Sequence, residues 1–227
     1  MGKLSKKYKK ALEMYDRTKK YSLDEAIRIL KELPKAKFDE SVDISVKLNL
    51  NKGQRIRSNI LFPHSFGNTK KVLVFAKGEK AEEAKKAGAD YVGDIDLIEK
   101  IQNGFMDFDI AISTPDMMKD VSKLGPILGK KGLMPNPKSG TVTFEIKKAV
   151  EEAKKGKREF RSDKDGVVNI SVGKISMDDG NIIENIKAFY EVLVKTRPAD
   201  VKGEYIKSVA LSKTMSPSVR IDIKSLI

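Results

Sequence analysis

The chain has 227 residues, 40% hydrophobic and 34% charged, and its formal net charge is +13. This composition is typical of a globular protein with one large or two small domains, and it excludes a disordered chain. Because the sequence has no cysteine and one histidine, disulfides, zinc–thiolate sites and thiol nucleophiles are excluded, and any histidine-based metal site or catalytic triad would rest on His64 alone.

The partners and location of the protein are limited by the same features. Its apolar runs are much shorter than the roughly 18 residues of a membrane span, and its lysine-rich N-terminus lacks the apolar core of a signal peptide. We therefore expect a cytoplasmic protein with no membrane partner, metal or cofactor. The positive charge favours an anionic partner, although a basic protein without a specific ligand fits it equally well.

The first segment, residues 1–66, combines helical and strand patterns. A lysine-rich amphipathic stretch runs from Leu4 to Tyr15, and Ser22-Leu-Asp-Glu25 has the pattern of a capping box that begins a helix limited by Pro34. From Ser41 to Leu50 apolar and polar residues alternate, which predicts a half-buried strand of an antiparallel sheet. Arg55–Phe62 is predicted to be its neighbour.

The middle segment, residues 67–158, has short apolar strands between helical patterns, which is typical of βαβ units and a parallel sheet. The predicted strands are Lys71–Ala76, Tyr91–Val92, Phe108–Ser113 and Thr141–Phe144. The predicted helices are Glu79–Ala87, Asp96–Gln102, Met117–Leu124 and one through Ile146, Ala149, Val150 and Ala153.

Between these patterns lies a basic run, Gly125–Gly140, with four glycines and three prolines, which predicts a specified irregular shape. It is not a phosphate-binding loop, because three residues separate Gly125 from Gly129 and Lys130 is followed by Lys131. A nucleotide-binding enzyme remains the alternative hypothesis, with Ser113, Thr114 and Asp116 at the carboxyl end of a strand. A protein-binding scaffold is a third.

The last segment, residues 159–227, again has the alternating apolar and polar runs that are typical of antiparallel strands. Strand patterns flank the turn signal Asp163-Lys-Asp-Gly166, and a helix is predicted over Asp178–Val194 before two alternating runs, Tyr205–Leu211 and Val219–Ile223. The economical interpretation is an α+β fold with an inserted α/β domain. An antiparallel domain would form from residues 1–66 and 159–227, and a Rossmann-like parallel-sheet domain from residues 67–158.

The run Gly129–Val142 resembles the signature of the bacterial-type L-one family of large-subunit ribosomal proteins. Further matching segments keep the same register along nearly the whole chain. They are Lys37–Val42, Val72–Lys80, Ala87–Gly93, Phe108–Met118, Lys202–Val209 and Ser212–Met215.

The resemblance implies a non-enzymatic, ribosome-associated protein, monomeric when free, with a joint near His64–Asn68 and Arg158. It implies binding of large-subunit ribosomal RNA at the mobile lateral stalk near the tRNA exit site. It also implies help in releasing deacylated exit-site tRNA, and repression of translation of its own operon by binding the messenger RNA.

The resemblance also places RNA-binding residues on the terminal segments. These are Lys37, Phe38, Ser41, Arg161, Lys164, Ser212, Thr214, Met215 and Ser216. Lys47, on the polar face of the predicted strand, is expected to neutralise phosphate with them. We expect secondary RNA contacts from the lysines of the Gly125–Gly140 run, Lys130, Lys131 and Lys138.

Some of these residues have a second interpretation. Without the resemblance, Phe38 would be placed in the core because it precedes a strand. Ser216 stands where the family has glycine, so either the backbone there avoids a positive φ or the RNA contact is loosened. Pro63-His-Ser-Phe-Gly-Asn68 also departs from the family pattern, which leaves the flexibility of the joint open.

Overall fold

The computed structural model describes residues 5–51, 53–67 and 69–226, so Leu4 of the first helical pattern and Asn68 of the joint lie outside the described residues. The chain forms two compact units, one from residues 1–67 with 160–227 and the other from residues 68–159. We call them the terminal unit and the inserted unit. Each has its own hydrophobic core.

The terminal unit is organised by a four-stranded antiparallel sheet. Its strands are β1 (Ser41–Leu48), β7 (Val167–Lys174), β8 (Ile206–Lys213) and β9 (Val219–Ile221). They pair in the order β7-β1-β8-β9. Burial alternates along β1, with Val42, Ile44, Val46 and Leu48 all inside, which confirms the half-buried strand.

Among its described residues the terminal unit also contains three α-helices, α1 (Lys6–Glu13), α2 (Leu23–Glu32) and α8 (Asp179–Lys195). The capping box at α2 is confirmed, since Ser22 Oγ accepts from Glu25 N–H and the Glu25 carboxylate accepts from Ser22 N–H. Both α2 and α8 pack apolar stripes into the same core as β1, including Ile27, Leu30 and Phe189.

Arg55–Phe62 was predicted to pair with β1, and this prediction is wrong. This segment contains β2 (Arg57–Ile60), which pairs with β6 (Arg158–Arg161) in a separate two-stranded sheet. It cannot pair with β1 because β7 and β8 occupy both edges of that strand. The predicted turn at residues 163–166 is present, with Asp163 Oδ1 accepting from the N–H groups of Asp165 and Val167.

The inserted unit contains a three-stranded parallel sheet in the order β4-β3-β5, as its short apolar runs predicted. The strands are β3 (Val72–Phe75), β4 (Tyr91–Gly93) and β5 (Ile110–Ser113). Both faces of β3 are buried because Leu73 and Phe75 belong to one apolar cluster and Val72 and Val74 to another. The helices include α3 (Glu79–Lys86), α4 (Ile95–Gln102) and α7 (Ile146–Lys154).

Around the glycine- and proline-rich run, two predictions need correction. Its first half is helix α6 (Gly125–Lys131), where Pro126 lies in the tolerated first turn, Leu128 is buried and Gly132 ends the helix at φ 72°. The helix predicted at residues 117–124 is divided into α5 (Met118–Val121) and flanking 3₁₀ turns.

Residues 141–144 do not form the predicted strand. They add a single parallel bridge, between Val142 and Ser113, to the sheet of the inserted unit. Few residues are left for a strand here, because a turn occupies Asn136–Thr141 and helix α7 already begins at Ile146.

Candidate nucleic-acid interface

The start of β1 and the end of β8 bring together two segments that the resemblance placed in the site. Thr214 N–H donates to the Ser41 carbonyl at 3.1 Å, and Ser41 N–H donates to Thr214 Oγ1 at 3.1 Å. Lys174 Nζ donates to Ser41 Oγ at 2.9 Å. These bonds join residues 173 positions apart in the sequence. We call the surface formed by residues 37–41 and 212–216 the strand-end surface.

The second segment of this surface is a tight turn. Ser216 N–H donates to the Lys213 carbonyl at 3.0 Å, and Met215 has φ 67°. A positive φ at the third residue alone is the geometry of a type II turn. The positive φ falls on Met215 and not on Ser216. Of the two interpretations of Ser216, the first therefore holds: the backbone at this position avoids the positive φ that glycine would allow. Its hydroxyl accepts from Lys213 N–H at 3.1 Å and donates to the Pro217 carbonyl at 3.1 Å.

Two large apolar side chains are exposed on the strand-end surface. Phe38 is 57% exposed and Met215 is 85% exposed. The core interpretation of Phe38 is therefore wrong, because the chain between α2 and β1 turns its side chain outward. Lys37 beside it is also exposed, and Ser212 is half-buried in β8. Exposed apolar groups among cations are suited to stacking on bases and packing against sugars.

Beneath this surface lies a buried ion pair that the sequence analysis missed. Lys213 Nζ and Glu40 Oε2 are 3.1 Å apart, and their side chains are 0% and 2% exposed. Lys213 Nζ also donates to the Leu33 carbonyl at 2.9 Å, and Glu40 Oε2 accepts from Ala36 N–H at 3.2 Å. The pair therefore connects the end of α2, the loop carrying Lys37 and Phe38, and the end of β8.

The remaining cations predicted on the terminal segments are not brought to the strand-end surface. Lys47 lies near the other end of β1, six positions or about 20 Å from Ser41 along the strand. There its ammonium donates to the Asp165 carbonyl, within the turn that also carries Lys164. Arg161 and Lys164 are exposed at this end. An RNA that contacts both groups must extend along the length of β1.

The secondary contacts belong to the inserted unit. Lys130 and Lys131 are exposed in the last turn of α6, where cations also interact favourably with the helix dipole. The side chain of Lys138 lies outside the described structure. An RNA contact and a purely helix-stabilising role are thus both compatible with the first two lysines.

The alternative nucleotide site receives little support from the inserted unit. Ser113 and Thr114 are buried, and Ser113 Oγ donates to the Thr114 carbonyl at 2.9 Å. Ser113, the last residue of β5, also forms the parallel bridge to Val142. Within residues 5–51, 53–67 and 69–226, no group of three acidic or histidine side chains is placed to hold a metal ion. No helix in that part of the chain is long and apolar enough to span a membrane.

Together the fold and the strand-end surface define a basic protein with two units, one of which is inserted into the other. The family model described as the ribosomal protein L1p/L10e family matches residues 30–217. The large ribosomal subunit protein uL1 of Borrelia duttonii is 55% identical over 222 residues, which cover 98% of this chain and 99% of that protein.

Two further relatives with the same name are similar over the same length. That of Treponema denticola is 52% identical, and that of Borreliella burgdorferi strain B31 is 51% identical, each over 98% of both chains. The chain therefore belongs to the ribosomal protein L1p/L10e family. It is a structural ribosomal protein and not an enzyme.

Proposed function

We propose that the protein binds large-subunit ribosomal RNA at the mobile lateral stalk through the strand-end surface. The observation that carries this proposal is the pair of Ser41–Thr214 hydrogen bonds, which assemble two distant segments into one exposed surface. The relatives are named proteins of the large ribosomal subunit, which supports a cytoplasmic, ribosome-associated location.

Each part of the surface has a role that suits RNA. Thr214 Oγ1 accepts from Ser41, and no hydrogen bond among the described residues uses its O–H as a donor, so that proton is available to a 2′-hydroxyl or a base. Phe38 and Met215 offer apolar faces, and Lys37 neutralises phosphate. Lys47, Arg161 and Lys164 bind phosphates farther along the same RNA.

The wider role follows from this binding site. Near the tRNA exit site the protein assists release of deacylated tRNA, and by binding a similar structure in its own operon messenger RNA it represses translation. It acts as a monomer when free of the ribosome. Terminal segments 1–66 and 159–227 form the RNA-binding domain, and residues 67–158 form an inserted domain whose Lys130, Lys131 and Lys138 make secondary RNA contacts. The compact units support this division.

We expect Thr214→Val to weaken specific RNA binding by roughly 1–3 kcal/mol, or about 5- to 150-fold. Valine keeps the shape but removes both the donor and the acceptor of Ser41 N–H. The measurement is equilibrium binding of a transcript of the lateral-stalk region of Borrelia duttonii large-subunit ribosomal RNA. Thr214→Ser keeps the hydroxyl and is the matched control. Equal affinity of the Val variant and the wild type would remove Thr214 from the site.

Replacing residues 69–156 by a short Gly-Ser linker should leave most of the affinity for the same transcript. The strand-end surface and all of β6 remain in this variant. Loss of all binding by a folded variant would place the main site in the inserted unit. A calorimetric titration of the full protein with ATP or GTP tests the enzyme alternative, and a binding signal there would revive it.

A further inference from the structure

Helix α1 presents four lysines, Lys6, Lys7, Lys9 and Lys10, which we call the α1 basic face. All four are exposed, and Ala11 is the buried residue of this helix. Within the described ranges, none of the four takes part in an ion pair with an acidic side chain. From residue 5 to residue 20 the chain holds seven Lys and Arg against two acidic residues. This is a concentrated, uncompensated positive charge.

Apart from Lys10 in the last turn, the charges of α1 do not stabilise the helix itself. Its first turn has no acidic residue, and lysines there oppose the positive end of the helix dipole. Lys6 and Lys10 are four positions apart, so they repel each other on one face. Helix α3 shows the stabilising arrangement, with Glu79 and Glu82 in its first turn and Lys85 and Lys86 in its last. The lysines of α1 are therefore better explained by an external anionic partner.

Helix α1 and the residues just after it contact the chain next to both segments of the strand-end surface. Near its start, Lys7 Nζ donates to the Lys35 carbonyl at 3.4 Å, two residues before Lys37. Just beyond its end, Tyr15 Oη donates to the Ser218 carbonyl at 2.9 Å, two residues after Ser216. Burial raises the pKa of Tyr15 above its ordinary value. Helix α1 thus lies beside the strand-end surface.

We propose that the α1 basic face binds backbone phosphates of the same RNA, beside the nucleotides contacted by Phe38 and Met215. This inference rests on the proposed function and extends its binding site. Exposed lysines without acidic partners suit phosphate contacts, which position the RNA and carry no sequence information. RNA is favoured over an acidic protein because Lys7 and Tyr15 hold this part of the chain within two residues of both segments of the proposed RNA site.

The test compares salt dependence in three proteins. The α1 variant carries Lys6→Gln, Lys7→Gln, Lys9→Gln and Lys10→Gln. The control carries Lys187→Gln, Lys195→Gln, Lys202→Gln and Lys207→Gln, which remove the same charge from exposed positions elsewhere in the terminal unit. A third protein replaces the four α1 lysines by Arg and keeps the charge. Affinity for the stalk transcript is measured from 50 to 200 mM KCl, and circular dichroism checks folding.

The slope of log affinity against log salt is negative, and each lost phosphate contact should reduce its magnitude by roughly 0.7–0.9. For the α1 variant we expect the magnitude to fall by about 1.5 or more, while the control and the Arg protein keep the wild-type slope. The fall in affinity between 50 and 200 mM salt becomes about threefold smaller for each lost contact.

The outcomes separate the two proposals. If wild-type protein binds the transcript but the α1 variant keeps its slope, the inference is overturned and the proposed function stands. The inference is also overturned if the control variant loses as much salt dependence as the α1 variant. The change would then depend on net charge and not on the position of the lysines. If wild-type protein does not prefer the transcript to an unrelated RNA of equal length, the proposed function itself fails.

Discussion

Replacing Lys213 by Met should lower the free energy of unfolding of the terminal unit by about 3–5 kcal/mol. The cation contacts Glu40 and the Leu33 carbonyl in a site that excludes water. Met fills a similar volume, so the main loss is electrostatic, because the Glu40 carboxylate is left buried without its counter-charge. Urea unfolding followed by circular dichroism measures the change.

The matched control removes the second charge. In Lys213→Met combined with Glu40→Gln, the amide oxygen can still accept from Ala36 N–H, and no uncompensated ion remains buried. We expect this double variant to recover most of the lost stability, since neutral replacements of buried ion pairs cost little or even stabilise. A single variant that costs less than about 1 kcal/mol would show that the site admits water or neutralises Glu40.

The second large effect is expected for Asn185→Leu, at about 2–4 kcal/mol of unfolding free energy. Asn185 is fully buried on α8, and its amide donates to the carbonyls of His64 and Val172, each at 2.9 Å. Its oxygen accepts from His64 N–H at 3.1 Å. Leucine matches the volume but leaves three backbone groups without these partners. Urea unfolding of this variant gives the cost directly.

The neighbouring residue Glu184 supplies the control. It also contacts His64, with Oε2 and Nε2 2.6 Å apart, but its side chain is 64% exposed. Exposed ion pairs contribute little, so Glu184→Gln should change stability by less than about 1 kcal/mol. Equal effects of the two substitutions would mean that the connection to His64, and not the buried amide, determines the cost.

Local patterns predicted much of the fold. The capping box at Ser22–Glu25 and the alternation in β1 were confirmed because each depends on residues close in sequence. The partner of β2 was not predictable in this way, because it depends on which edges of β1 are already occupied. Helix α6 was missed since its formation depends on burial of Leu128 against distant residues, which outweighs its glycines.

The strand-end surface was less accessible to sequence reasoning. The pairing of Ser41 with Thr214 joins distant segments, and only the family resemblance placed both in one site. The apolar character of Phe38 suggested burial, whereas the turn of the chain after α2 exposes it. The burial of Lys213 could have been predicted from the sequence. Side chains alternate between the two faces of a strand, so Lys213 lies on the same buried face of β8 as Val209 and Leu211.

The 173-residue separation of Ser41 and Thr214 has a consequence during synthesis. A nascent chain carries Lys37 and Phe38 early, but the turn that completes the surface emerges only when residue 216 has left the ribosome. Until then β8 is absent from the centre of its sheet, and Glu40 has no cation beside it. If the strand-end surface binds RNA as proposed, an unfinished chain lacks the complete surface until this turn has emerged and β8 has paired with β1.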